Sequence, residues 1–262
     1  MQNTLAWILS VIMVVWSMVF MSGCAQQSSE MVILNTLSPE KIARYNDSFD
    51  SFREDLWERS HYTYNRAQEQ NFELADMFIE EGRLEIRTKT GVFSKGSVHS
   101  RYALRGDFDV QIDCHFDFLK AQAGMDQRAI FVVLEKGEEV GKADAAIFQI
   151  QKRGFEDNGF LLLGCVNWSR FTLETSRRVS GFHGTLRFVR KENKIVSLYR
   201  QEGATEWVKA GSCRINAGNM IVGFGLQNFD TERTTIKAEA PISATFDNFR
   251  INFAQEIVEE EI

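Results

Sequence analysis

From Leu84 onward, apolar residues recur mostly at every second position, a period that predicts β-strands with one face in a core and the other outward. The longest run is Phe108, Val110, Ile112, Cys114, Phe116 and Phe118, alternating with Asp109, Gln111, Asp113, His115 and Asp117. Ala129 to Leu134 and Gly159 to Val166 are nearly continuous apolar runs, the pattern of central strands covered on both faces. Leu186 to Arg190 and Ile195 to Tyr199 flank Lys191-Glu192-Asn193-Lys194 and predict a hairpin, with Asn193 as the residue that tolerates a left-handed backbone. Met220, Val222, Phe224 and Leu226 alternate with Gly223 and Gly225, and Ile242 to Phe253 reads as the last strand. Helical signals are confined to a short segment in which Ser38 caps, Pro39 takes the first helical position, and Ile42 and Tyr45 share a face. The only prolines, Pro39 and Pro241, interrupt no proposed strand. About a dozen strands with almost no long helix predict an all-β antiparallel sandwich or barrel.

The N-terminus has a different character. Leu5 to Met21 is an uncharged apolar stretch, and it is followed by Ser22-Gly23-Cys24. This segment resembles a bacterial lipoprotein signal, which implies cleavage before Cys24 and attachment of lipid to its thiol. Several acyl chains then hold the protein at a membrane, since one chain binds only marginally. Ala25 stands where an aspartate would retain a Gram-negative lipoprotein at the inner membrane, so the resemblance implies outer-membrane sorting in such a cell. An uncleaved membrane anchor and ordinary secretory cleavage after Ala25 are the competing readings, and all three place the remaining chain outside the cytoplasm.

Composition narrows the function classes. The 262-residue chain carries a net charge of −6, with none of its charged side chains before residue 24, and it has no block of Lys and Arg interleaved with aromatics, which argues against a nucleic-acid partner. Besides Cys24 there are Cys114, Cys165 and Cys213, without C-x-x-C spacing, so no cysteine zinc site is written here. Cys114 falls on the apolar face of its strand, which leaves Cys165–Cys213 as the one bridge to consider.

Candidate chemistry is concentrated in few places. The stripe Asp109, Gln111, Asp113, His115, Asp117 puts polar groups on one strand face at intervals of about 6.6 Å, suited to acid/base pairs, a metal or a solvated surface. Asn167, Trp168 and Arg170 follow an apolar strand and form the best candidate sugar-stacking cluster, because an indole covers the CH face of a sugar ring while polar neighbours bond its hydroxyls. Asn167-Trp168-Ser169 is also a glycosylation sequon. His61, His99, His115 and His183 lack helical metal spacing. Gly137 to Lys142 only superficially matches a phosphate loop and reads as a turn.

A family resemblance rests on Asp47-Ser48-Phe49-Asp50 with Trp57, Glu81-Gly82-Arg83-Leu84-Glu85-Ile86, Gly106-Asp107-Phe108-Asp109-Val110, Leu186-Arg187-Phe188-Val189-Arg190 and Phe246-Asp247-Asn248-Phe249. These segments resemble the concanavalin A-like lectin/glucanase superfamily across about residues 47 to 253. The resemblance implies a two-sheet antiparallel jelly roll with its first and last strands side by side, and structural roles for Trp57 and Trp207. It also implies a structural calcium ion held by Asp50 and Asp247, although turn aspartates without metal account for the same residues. The Glu-x-Asp-x-Glu strand of laminarinase-type members is absent. The expected organisation is a leader at 1–23, a lipidated tether with a short helix at 24–46, the jelly roll at 47–253 and a solvated acidic tail at 254–262. The expected function is glycan or envelope-polymer binding without catalysis. A glycoside hydrolase or lyase using the acidic strand, and a structural envelope protein, are the alternatives.

Overall fold

The computed structural model describes residues 37–60, 72–119, 125–136, 143–154, 156–167, 170–216, 218–230 and 238–259. The leader and Cys24, Trp168 and the 137–142 turn lie outside the described residues. Helix α1 (Pro39–Ala43) forms as its sequence signals require. Ser38 caps it by accepting from the Lys41 N–H at 3.3 Å, Pro39 opens the first turn, and Ile42 and Tyr45 are buried.

Fifteen strands follow among the described residues: β1 (Trp57–Ser60), β2 (Phe72–Leu74), β3 (Asp76–Glu80), β4 (Arg83–Arg87), β5 (Phe93–Ser100), β6 (Tyr102–Asp117), β7 (Met125–Glu135), β8 (Ala145–Lys152), β9 (Gly159–Asn167), β10 (Arg170–Val179), β11 (Gly181–Lys191), β12 (Lys194–Gln201), β13 (Val208–Arg214), β14 (Met220–Asp230) and β15 (Ser243–Glu259). They make two layers. The first runs β10-β9-β8-β7-β14-β5-β1, and the second runs β3-β4-β15-β6-β11-β12-β13. One bridging pair, Met220 opposite Leu104, joins β14 to β6 at a corner. All ladders are antiparallel except the short β2–β5 pair.

The layers meet through aromatic rings. Phe188 of β11 packs on Phe131 of β7 and Phe148 of β8 with centroids 4.9 and 5.1 Å apart, and Phe224 of β14 lies 4.8 Å from Phe246 of β15. A disulfide joins Cys165 of β9 to Cys213 of β13 across the sandwich, while Cys114 remains a buried thiol. All residues of β8 are buried, and on the outer face of the first layer Val132, Leu134, Ala145, Ile147 and Val166 form a second apolar cluster. The continuous apolar runs thus mark strands covered on both sides.

Strand β6 alternates as its sequence predicts, with Phe108, Val110, Ile112, Cys114 and Phe116 in the core and the polar stripe outward. Phe116→Ala is expected to destabilise by about 3–5 kcal/mol. Asp113→Ala removes only hydrogen bonds on a half-exposed face and should cost about 1 kcal/mol. Denaturant melts that reverse this order would place the opposite face inward, as a one-residue slip does.

The N-terminal segment closes the sandwich. Asp47 bridges Phe249 of β15, and its carboxylate accepts from the Phe49 N–H at 2.8 Å and the Trp57 indole N–H at 2.7 Å. Fully buried Trp57 contacts Phe224 and Phe249 edge-on, at 5.2 and 5.0 Å between centroids.

Two expectations are corrected. The segment after Phe253 is not a solvated acidic tail. β15 continues to Glu259, pairing Glu256, Ile257, Val258 and Glu259 with Arg105, Leu104, Ala103 and Tyr102. Ala254 and Ile257 are buried, and a shift in register between Ala254 and Glu256 breaks the simple alternation that would have revealed them. In the β11–β12 hairpin, Glu192 rather than Asn193 takes the left-handed backbone, at φ 56°. Its N–H donates to Asp107 and its carbonyl accepts from Arg190, so tertiary bonds override the local preference of asparagine.

Candidate functional site

The outer face of the second layer gathers the polar stripe of β6 with residues of β11, β12 and β15. Register places Asp109, Gln111, Asp113 and His115 opposite Val189, Arg187, Thr185 and His183 on one side. On the other side Asp113 faces Asp247 and His115 faces Thr245. Residues opposite one another share a face, so charges widely separated in sequence become neighbours.

Each group in the stripe has a partner. Both oxygens of Asp109 accept from Arg187, with the Nε bond at 2.7 Å, and the hydrogen bond from Asp109 holds the guanidinium above its usual range. Asn252 donates to Asp109 and Gln111, both at 3.0 Å. Asp113 accepts from Thr185 Oγ1 at 2.6 Å and Asn248 Nδ2 at 3.1 Å. The His115 ring stacks on His183 at 5.0 Å, and His183 Nε2 meets Asp117 Oδ1 at 2.9 Å. Burial first, and then the proximity of His183, lowers the His115 pKa and favours its neutral form.

A cavity of about 240 Å³ opens beside this stripe, lined by Asp113, His115, Thr185, Arg200 and Glu202 among others. Next to it, Trp207 lies under two guanidiniums, with Arg187 and Arg200 at 5.0 and 4.8 Å from the ring centroid. This corrects the expectation of a core role for Trp207. It is partly exposed on the sheet face, unlike Trp57.

Asp50 and Asp247 meet where the first segment joins β15. Burial raises the Asp247 pKa most, and the charges of Asp113 and Asp50 add to this while the Asn248 N–H and Arg83 oppose it. Asp50 also accepts from Ser48 at 2.8 Å. Phe49, Glu81, Gly82 and Asn248 all have left-handed backbones in the surrounding turns, with φ of 53°, 52°, 70° and 48°. A Cβ at Gly82 would lie 3.5 Å from the Asp50 carboxylate. The Arg83 guanidinium lies 3.8 Å from Asp247 and supplies part of the countercharge.

The Asn167–Arg170 cluster is visible only in its backbone, where these two residues pair across β9 and β10. Their side chains and Trp168 lie outside the described residues. The first layer carries a network the sequence reading did not single out. Gln151 Nε2 donates to Asp126 at 2.8 Å, Arg128 donates to Gln151 at 3.0 Å, and Arg128 packs 4.6 Å above Phe229. Burial lowers the Arg128 pKa to about 10. Gln149 and Gln151, spaced by two in β8, which is otherwise apolar up to its terminal Lys152, are the sequence signal for it. The outer positions of β8, namely Ala145, Ile147, Gln149 and Gln151, include no carboxylate.

This arrangement suits recognition of hydroxyls better than acid/base chemistry. Asp109 and Asp113 accept from guanidinium, hydroxyl and amide donors, the groups with which carboxylates also meet sugar hydroxyls.

No protein-family model and no curated protein sequence matches the chain. Solved structures similar to it include a β-glucanase of Bacillus licheniformis, with 13% identity over 79% of this chain and 96% of that one and a TM-score of 0.52. A mixed-linkage glucan GH16 protein of Bacteroides ovatus, in complex with a product, is 10% identical over 79% and 99% of the two chains, with a TM-score of 0.55. A module named CBM2, from the evolved Dit protein of a Lactobacillus casei phage, is 9% identical over 79% and 95%, with a TM-score of 0.54. The chain therefore has the antiparallel, concanavalin A-like jelly-roll fold that these proteins display.

Proposed function

We propose that the protein is an exported carbohydrate- or envelope-polymer-binding lipoprotein without hydrolytic activity, held at a membrane by lipid on Cys24. The observation that carries the binding role is the cavity on the second layer, where Asp113, Thr185, Arg200 and Glu202 offer donors and acceptors matched to sugar hydroxyls. Trp207 supplies aromatic surface beside them. The fold is shared with glucan-acting enzymes, yet a Glu-x-Asp-x-Glu strand occurs nowhere in the sequence. The acidic net charge agrees with a partner other than nucleic acid.

A glycan array run beside a reducing-sugar assay tests this reading. Binding without sugar release is expected, and Arg200→Ala should weaken binding roughly ten- to a hundredfold by removing a charged hydrogen bond of about 1.5–3 kcal/mol. Trp168→Ala tests the stacking role expected of that residue. Sugar release that vanishes in Asp113→Asn at unchanged melting temperature would instead support the glycosidase reading. The anchor has its own check, because Cys24→Ser should abolish incorporation of labelled palmitate; equal labelling of both proteins would exclude lipidation. The same reading sorts the protein to the outer membrane if the cell is Gram-negative. It also includes a structural calcium ion at Asp50 and Asp247, for which calcium should raise the melting temperature of the wild type but not of Asp247→Asn.

A further inference from the structure

We propose that His115, His183 and Glu202 form a binding site for a divalent transition cation of the zinc type, a site that does not depend on glycan binding. One ligand atom from each of the three residues lies within 4.8 Å of those of the other two. A tetrahedral zinc ion needs its ligand atoms about 3.3 Å apart, which small rotations of these side chains supply.

The backbone brings the three together. His115 and His183 are directly opposed in the β6–β11 register, so their parallel rings project side by side. Glu202 sits in the turn after β12, and its N–H donates to the His183 carbonyl at 2.8 Å. Gly184 permits that turn to close on β11, because a Cβ there would lie 2.2 Å from the Arg200 carbonyl oxygen. Gly203, at φ 76°, lets the chain turn immediately after the glutamate.

The surrounding groups complete a metal-type arrangement. The Asp117 carboxylate lies 2.9 Å from His183 Nε2 and orients the imidazole, as an outer carboxylate does for a metal-binding histidine. Two imidazoles and one carboxylate are the donor set of zinc-type ions, whereas calcium and magnesium take oxygen ligands. His115 and Glu202 also line the adjoining cavity, which has room for a water as fourth ligand.

The test uses the metal-stripped full chain in detergent, titrated calorimetrically and melted with zinc, calcium or magnesium chloride. Zinc should bind the wild type and raise its melting temperature. His115→Ala and His183→Ala should each remove that response, and Asp117→Asn should weaken zinc binding about tenfold. Unchanged metal-free melting temperatures in these variants show that the fold is intact. Asp247→Asn should keep the full zinc response, which separates this site from the proposed calcium pair. Absence of zinc binding by the folded wild type, or a zinc affinity in both histidine variants equal to that of wild type, would overturn the proposal.

Discussion

Trp57→Ala is expected to destabilise the protein by about 3–5 kcal/mol in denaturant melts, the range for emptying a large aromatic site in a packed core. The indole is fully buried between Phe224 and Phe249 and also tilts against Phe49 and Tyr102, so its removal leaves a cavity that four rigid rings cannot fill. It also strips the Asp47 carboxylate of its indole donor. Trp57→Phe separates the two effects by keeping most of the volume while losing the N–H. Burial already raises the Asp47 pKa, and losing the donor raises it further. The folded Trp57→Phe variant then binds a proton more readily than the unfolded chain, so its stability rises as pH falls through that raised pKa. Its deficit relative to wild type should be largest at neutral pH and shrink in acid. A deficit independent of pH would assign the whole effect to packing.

Replacing Cys165 and Cys213 with alanine is expected to cost about 4 kcal/mol, from the chain entropy released when a loop of this length opens. The bridge spans 48 positions and ties β9 to β13 in opposite layers. Reducing agent applied to the wild type should reproduce the loss. Cys114 should not interfere by exchange, because full burial drives its thiol pKa upward and keeps the reactive thiolate scarce. A double variant as stable as wild type would mean that the aromatic contacts between the layers hold them without the bridge.

The fold was legible where local periodicity coincides with burial. The β6 stripe, the two-sided burial of β7 and β9, the Ser38 cap and the Phe246-to-Phe249 closing segment all reduce to side-chain period and capping chemistry. The site was half legible. Asp113 and His115 stand out as polar residues on an amphipathic strand, but His183 joins them only through the β6–β11 register, which no spacing along the chain encodes. Glu202 likewise depends on a turn after β12 closing against β11. Trp207 misled because the family resemblance implied a structural aromatic there, and only the structure shows it just before β13 with Arg187 and Arg200 gathered over its ring. The end of β15 was hidden by its glutamates, which find Arg105 and Tyr45 as partners.

The position of β15 has a consequence for the order of assembly. It follows every other strand in the sequence, yet it sits inside the second layer, between β4 and β6. A nascent chain released only as far as residue 240 would hold both neighbours with unpaired edges and would lack the partner on which Asp47 closes. The second layer therefore cannot be completed until β15 has emerged. Its longest ladder must form late, between segments more than a hundred residues apart. In that interval the open edges of β4 and β6 are where the chain is most exposed to self-association, and where a holding chaperone would act.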